Sequence, residues 1–277
     1  MMLALLLLAL QDPAAAPSAR AAQRAELQRD VARTNGVWRL HEWGHYFVVT
    51  SVPDPTFLDQ LERHAFEARE LCSRQFPETE SDPVRDDRKL AVLRVTKDRE
   101  EYDSYGGPAG SSGYWSAPAG EIVVYDDKHR EVTWEALAGC VASSFLDEFF
   151  GDEPRAGWIE IGLSEYCRSK VREHTLEGED CSRWPALGEF LGRPWKRWYL
   201  QSGEEGNLFL VAWTWMRFLC DPELRGPDFD PRWALIPERY AVGWVAHKDE
   251  AKARAFAFEG LDMAALERAW RASLTTK

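Results

Sequence analysis

The chain has 277 residues, 45% of them apolar, with 13 tryptophans, 13 phenylalanines and 8 tyrosines. That is enough to bury one substantial core, so one domain, or one domain of two lobes, is expected. A net charge of −12 repels phosphate backbones, and no basic stripe interleaved with aromatics offsets it, which excludes nucleic acid as a partner.

Met1–Leu10 is an uninterrupted apolar run of ten residues, the length of a signal-peptide core and too short to span a bilayer. Small residues follow at Ala14–Ala16 and Ala19–Ala21, either of which is a cleavage context, although no basic segment precedes the run and Pro17 is unfavourable directly after the first. The pattern predicts export, giving an extracytoplasmic or secreted mature chain with no membrane span. Ala21–Ala32 is charged and helix-prone and reads as a loose leader, broken at Asn35-Gly36. Residues 1–25 are therefore assigned to signal peptide and leader, and 36–275 to a single domain with a sheet-bearing lobe (36–130) and a helical lobe (131–275).

Tyr46–Val52 is β-branched and aromatic and stops at Pro53, which predicts the first strand. Pro55–Gln75 repeats apolar residues at Phe57, Leu58, Leu61, Ala65, Ala68, Leu71 and Cys72, the spacing of an amphipathic helix, with His64 near its apolar side as a packing residue. A polar loop from Pro77 to Arg88 precedes the strand Lys89–Thr96, and residues 97–105 lead into a short helix. Gly106–Gly113 is a turn-rich loop lacking the Gly-x-x-x-x-Gly-Lys of a phosphate cradle. Glu121–Asp126 reads as a strand and Thr133–Phe150 as a helix, followed by the segment Trp158–Tyr166. Lys170–Arg197 is charged, with Gly and Pro, and reads as a surface excursion. Asn207–Cys220 is almost wholly apolar and predicts a buried helix, after which Trp233–Thr275 alternates short helices with loops. The fold class is α+β: a small N-terminal mixed sheet with helices, followed by a mostly helical half.

Five cysteines leave at least one thiol unpaired in an exported monomer. Cys167 and Cys181, across a polar insert, form the favoured disulfide pair, while Cys140 and Cys220 sit in apolar helical patterns as core residues. No Cys-x-x-Cys spacing supports a structural zinc site.

The order strand, helix, then Trp158-Ile-Glu-Ile-Gly-Leu-Ser-Glu-Tyr166 resembles the catalytic segment of peptidase-MA-like, gluzincin-type metallopeptidases. In that family the helix carries His-Glu-x-x-His and the next segment reads roughly Trp-Leu-x-Glu-Gly-Leu-Ala-Glu-Tyr. Gly162, Leu163, Glu165 and Tyr166 keep the run after the last ligand, and Phe256–Asp262 with Leu266, Glu267 and Trp270 resembles the family's closing element. The likeness spans residues 38–274 and implies a zincin-like fold. Yet the positions matching the two histidines, the general base and the third ligand hold Gly139, Ser143, Cys140 and Ile161. Histidines four apart on a helix share one face and reach one zinc, whose water the glutamate polarises. Glycine, serine and isoleucine supply no such ligand set, and Cys140 has no metal-bound water to activate. The resemblance thus implies a degenerate site without catalytic residues, metal or other cofactor, in a protein kept for a binding or structural role, its partner an unknown peptide or protein. Cys140 as a nucleophile lacks a histidine on its helix, and only folding could bring His129 or His174 to it as a base. The carboxylate pairs Asp147-Glu148 and Glu160 with Glu165 read as solvated charges or relics, since no glycosidase pattern accompanies them.

A literal zinc motif, His41-Glu42-Trp43-Gly44-His45, occurs elsewhere and carries the alternative of an active zinc metallopeptidase. Its context is that of a strand, where residues four apart lie roughly 13 Å from each other, against about 6 Å on a helix. Gly44 also disfavours a helix by about 1 kcal/mol.

Overall fold

In a computed structural model, residues 18–76, 88–151, 155–193 and 207–274 are described. The N-terminal apolar run, its first cleavage context and residues 77–87 of the polar loop lie outside them.

One five-stranded mixed sheet has the valine-bearing runs at its centre. Its strands are β1 (Arg39–Trp43), β2 (Tyr46–Thr50), β3 (Ala91–Thr96), β4 (Gly113–Ser116) and β5 (Glu121–Tyr125), in the spatial order β1-β2-β3-β5-β4. β2, β3 and β5 run parallel in the middle, and β1 and β4 are antiparallel edges. Central parallel strands are buried on both faces, which is why their sequences lack polar alternation. Tyr46, Val48, Leu93, Val95, Ile122 and Val124 enter the main core, and the alternate residues Phe47, Val49, Val92, Val123 and Tyr125 face the opposite side.

The stretch expected to be a loose leader is instead part of the fold. Helix α1 (Ala19–Ala32) lies on that opposite side, where Leu27 packs with Phe47, Val49 and Val92. The Gln23 amide pairs with both backbone groups of Leu90, at 2.8 and 2.9 Å. Helix α1 carries little apolar surface, so its sequence reads as solvated. It is held because the sheet's outer face needs a cover. Helix α3 (Arg99–Tyr105) covers the neighbouring part of that face through Tyr102.

On the core side lie α2 (Pro55–Gln75) and α4 (Arg130–Phe150). Asp54 caps α2 by accepting from the Thr56 amide, with Pro55 preset for the first turn. His64 stacks on Trp134 at 5.0 Å, a packing role. Beyond α4 come α5 (Gly157–Val171), α6 (Leu187–Gly192), α7 (Leu208–Cys220), α8 (Ile236–His247), α9 (Glu250–Phe258) and α10 (Met263–Ser273). The described chain is thus α+β and mostly helical. One apolar cluster runs continuously from Tyr46 to Trp270, with Trp158, Trp215, Trp244 and Trp270 fully buried. Among the described residues, no helix is long and apolar enough to cross a membrane.

Two further expectations are corrected. The insert after Lys170 is not merely a surface excursion: Trp184, Leu187, Phe190 and Leu191 are buried, and Trp184 and Phe190 stack on Trp270 at 6.2 and 6.1 Å. Widely spaced aromatics in a charged stretch have no helical period to betray them. Nor do Cys167 and Cys181 pair. Cys167 faces Cys72 across the α2–α5 contact with the sulfurs 3.7 Å apart, and Cys181 sits half-buried on a 3₁₀ turn with a free thiol.

Candidate functional site

Helix α4 presents Gly139, Cys140 and Ser143 on one face because positions 139 and 143 are one turn apart. Helix α5 runs against that face and supplies Glu160, Ile161, Ser164, Glu165 and Arg168, while strand β4 adds Gly113, Tyr114 and Trp115 along the rim. Together with Phe209 of α7 they enclose a cavity of about 350 Å³. Gly139, Cys140, Ser143 and Ile161, far apart in sequence, therefore share one space.

Three residues of the Gly162-Leu-x-Glu-Tyr166 run explain how α5 is seated. A Cβ on Gly162 would lie 3.0 Å from the Ala212 carbonyl oxygen, so glycine is what lets α5 approach the α7 backbone. Tyr166 is buried and donates its hydroxyl to Asp221 Oδ1 at 2.7 Å, and Leu163 is fully buried. These positions hold the helices in place, and Glu165 faces the cavity.

The cavity's charges are paired. Arg155 bridges Asp147 and Glu160, and the Trp115 indole N–H donates to Asp147. Burial pushes the Glu160 carboxyl above its ordinary value, opposed by the nearby Arg155. Glu165 lies 3.5 Å from Arg168 Nε and 3.2 Å from His174 Nε2. The guanidinium of Arg168 occupies the room over Gly139, since a Cβ there would meet its Nε at 2.3 Å and its Cζ at 2.6 Å. The side chain of a histidine at 139 could not occupy its place while Arg168 keeps this position. Cys140 is buried, and burial pushes its thiol up to about 11, against the pull of Arg168, so it is protonated at neutral pH.

These residues do not fit zinc. Gly139, Ser143 and Ile161 offer neither imidazole nor carboxylate, the buried thiol is held neutral, and Glu160 is engaged by Arg155. Among the described residues, no histidine lines the cavity, and no group of three or more His, Cys, Asp or Glu is placed to hold a metal. Sequence reasoning set Glu160 aside although it adjoins Ile161, and it missed Arg155, Arg168 and the strand β4. The only local signal for β4 is the short aromatic run Tyr114-Trp115 after Gly113.

The literal zinc motif is split by a tight hairpin rather than carried on one strand. His41 and Glu42 belong to β1, and Gly44-His45 turns the chain into β2. Cross-strand partners share a face. His41, opposite Val48, therefore lies on the core side of the sheet, and Glu42, opposite Phe47, lies on the α1 side. There Glu42 is bound by Arg20, at 2.6 Å, and by Arg24. The His45 ring meets the Phe66 edge with centroids 6.2 Å apart. A base on one face of a sheet cannot serve a metal water held on the other. Burial, helped by Arg39, lowers the pKa of His41.

Comparison with protein-family models, with curated proteins and with solved structures finds no match to this chain, so the reading of the site rests on its own geometry.

Proposed function

We propose that this chain is a non-catalytic, metallopeptidase-like protein of zincin-like architecture, exported from the cytoplasm, whose cavity holds an extended segment of a peptide or protein partner. The observation that carries this reading is the convergence of Gly139, Cys140, Ser143 and Ile161 on one cavity beside an edge strand, with no ligand set among them. Strand β4 is paired only with β5 among the described residues, so its outer backbone groups can bond an added strand. Arg168 supplies the cavity with a cation over Gly139, and guanidinium donors suit a carbonyl or carboxylate of the partner. Tyr114 and Trp115, half-buried on the rim, offer aromatic surface to its side chains.

Elemental analysis of the dialysed protein should find far less than one zinc per chain, and the protein with added zinc should leave denatured casein uncut. A digest of reduced casein passed over the immobilised chain should yield retained peptides that the Arg168→Ala variant no longer retains. Stoichiometric zinc with casein cleavage would overturn the non-catalytic reading, and equal retention by parent and variant would remove the cavity's role.

A further inference from the structure

We propose that Cys72 and Cys167 form an intramolecular disulfide that fastens α2 to α5 when the chain folds under oxidising conditions. Their sulfurs are 3.7 Å apart, both side chains are buried, and the residues are 95 positions apart in sequence. A disulfide needs the sulfurs at about 2.05 Å, so they must approach by about 1.6 Å. Cys72 sits on the core face of α2 near its C-terminal end, and Cys167 on the face of α5 turned toward it.

The pairing is selective. Cys140 lines the other cavity, beside Arg168, and Cys181 lies on the 3₁₀ turn after α5, where its carbonyl receives Arg271. Cys220 is the third buried thiol close to this pair, at the end of α7, and it makes no sulfur contact comparable to the one between Cys72 and Cys167. Cys167 also lines a second cavity of about 240 Å³, between α2, α4 and α5, with His64, Leu71, Trp134 and Lys170 around it.

The chemistry balances as thiol–disulfide exchange. Two S–H bonds break, one S–S bond forms, and two protons and two electrons leave. The acceptor is a disulfide, either oxidised glutathione or the active-site disulfide of an exporting cell's oxidoreductase, which is reduced to two thiols. Burial raises the Cys72 thiol well above its ordinary value, so little thiolate is present at that sulfur once α2 has docked. The bond therefore forms as the chain folds, before α2 has docked.

The test uses the full chain, reduced and unfolded in urea, then refolded in a mixture of oxidised and reduced glutathione. Free thiols are alkylated with iodoacetamide after a second denaturation, and the digest is read by mass spectrometry. The expected result is one linked peptide pair joining Cys72 to Cys167, a chain mass lower by two hydrogens before alkylation, and alkyl groups on Cys140, Cys181 and Cys220. Cys181→Ser should leave the link unchanged. Dithiothreitol should lower the urea midpoint of the refolded parent and leave that of Cys72→Ala unchanged, provided this variant folds. Five alkylated cysteines in the refolded protein would overturn the proposal, as would a predominant link between any other two, Cys167–Cys181 and Cys72–Cys220 included. Because the mapping is done on the parent chain, the result stands even if the cysteine variants misfold.

Discussion

Removing the crowding over Gly139 tests most directly whether the Arg168 guanidinium fills the space beside that glycine. Gly139 lies in the interior of α4, where alanine is worth about 1 kcal/mol over glycine. The three atoms nearest to a Cβ at 139 are all Arg168's, Nε at 2.3 Å, Cζ at 2.6 Å and Nη2 at 2.7 Å, so Gly139→Ala must push the guanidinium aside. The displaced group gives up its 3.5 Å contact with Glu165, a part-exposed ion pair worth about 0–1 kcal/mol. The gain and the loss then nearly cancel in the parent background. In an Arg168→Ala background nothing is displaced, and Gly139→Ala should stabilise by about 1 kcal/mol. A double-mutant cycle in urea should therefore give a coupling of up to about 1 kcal/mol, with Gly139→Ala near neutral alone and stabilising beside Arg168→Ala. Equal stabilisation by Gly139→Ala in both backgrounds would mean that the guanidinium does not sit over Gly139, and the account of the cavity's cation would fail.

The same crowding sets the terms for rebuilding a metal site. Gly139→His, Cys140→Glu, Ser143→His and Ile161→Glu together should bind zinc measurably, and more tightly once Arg168→Ala is added; a folded five-residue variant no better than the parent in a zinc titration would end the vestigial-site reading. Ile161 is 5% exposed, so its replacement by glutamate costs several kcal/mol unless metal is bound, and circular dichroism must establish folding first. Gly162→Ala should lower stability by up to about 2 kcal/mol, because the Ala212 carbonyl cannot yield as a side chain can and overpacking outweighs the gain in helix propensity; an unchanged urea midpoint would contradict the close helix approach. His41 and His64 both have lowered pKa values, each chiefly through burial. Below the ordinary histidine value of 6.5 the unfolded chain takes up these protons before the folded one. Their contribution is thus full above that pH and is lost as pH falls through the folded values. Urea midpoints measured from pH 7 to 5 should fall less steeply in the His41→Gln, His64→Gln double variant, and identical slopes would refute this.

Periodic burial is a local property, and the elements that depend on it were legible. Pro55–Gln75 forms a helix over the predicted span because its apolar stripe and its Asp54-Pro55 start both lie within the segment. The strands around Leu93 and Val123 follow from short runs rich in β-branched residues, and α4 and α7 from apolar runs too long for strands. The absence of metal-ligating side chains at Gly139, Ser143 and Ile161 was equally plain, since side-chain identity needs no coordinates. What the sequence could not state was which distant groups meet. The docking of α1 depends on an uncovered sheet face more than on its own sparse apolar residues. The hairpin that places His41 and Glu42 on opposite faces depends on cross-strand register. The strand β4 has only four residues and exists through its pairing with β5. Arg168 over Gly139, Arg155 between Asp147 and Glu160, and Cys72 against Cys167 are contacts between helices or turns. Residue spacing along the chain carries no information about them, because such contacts are set by how buried faces pack once the whole core has closed.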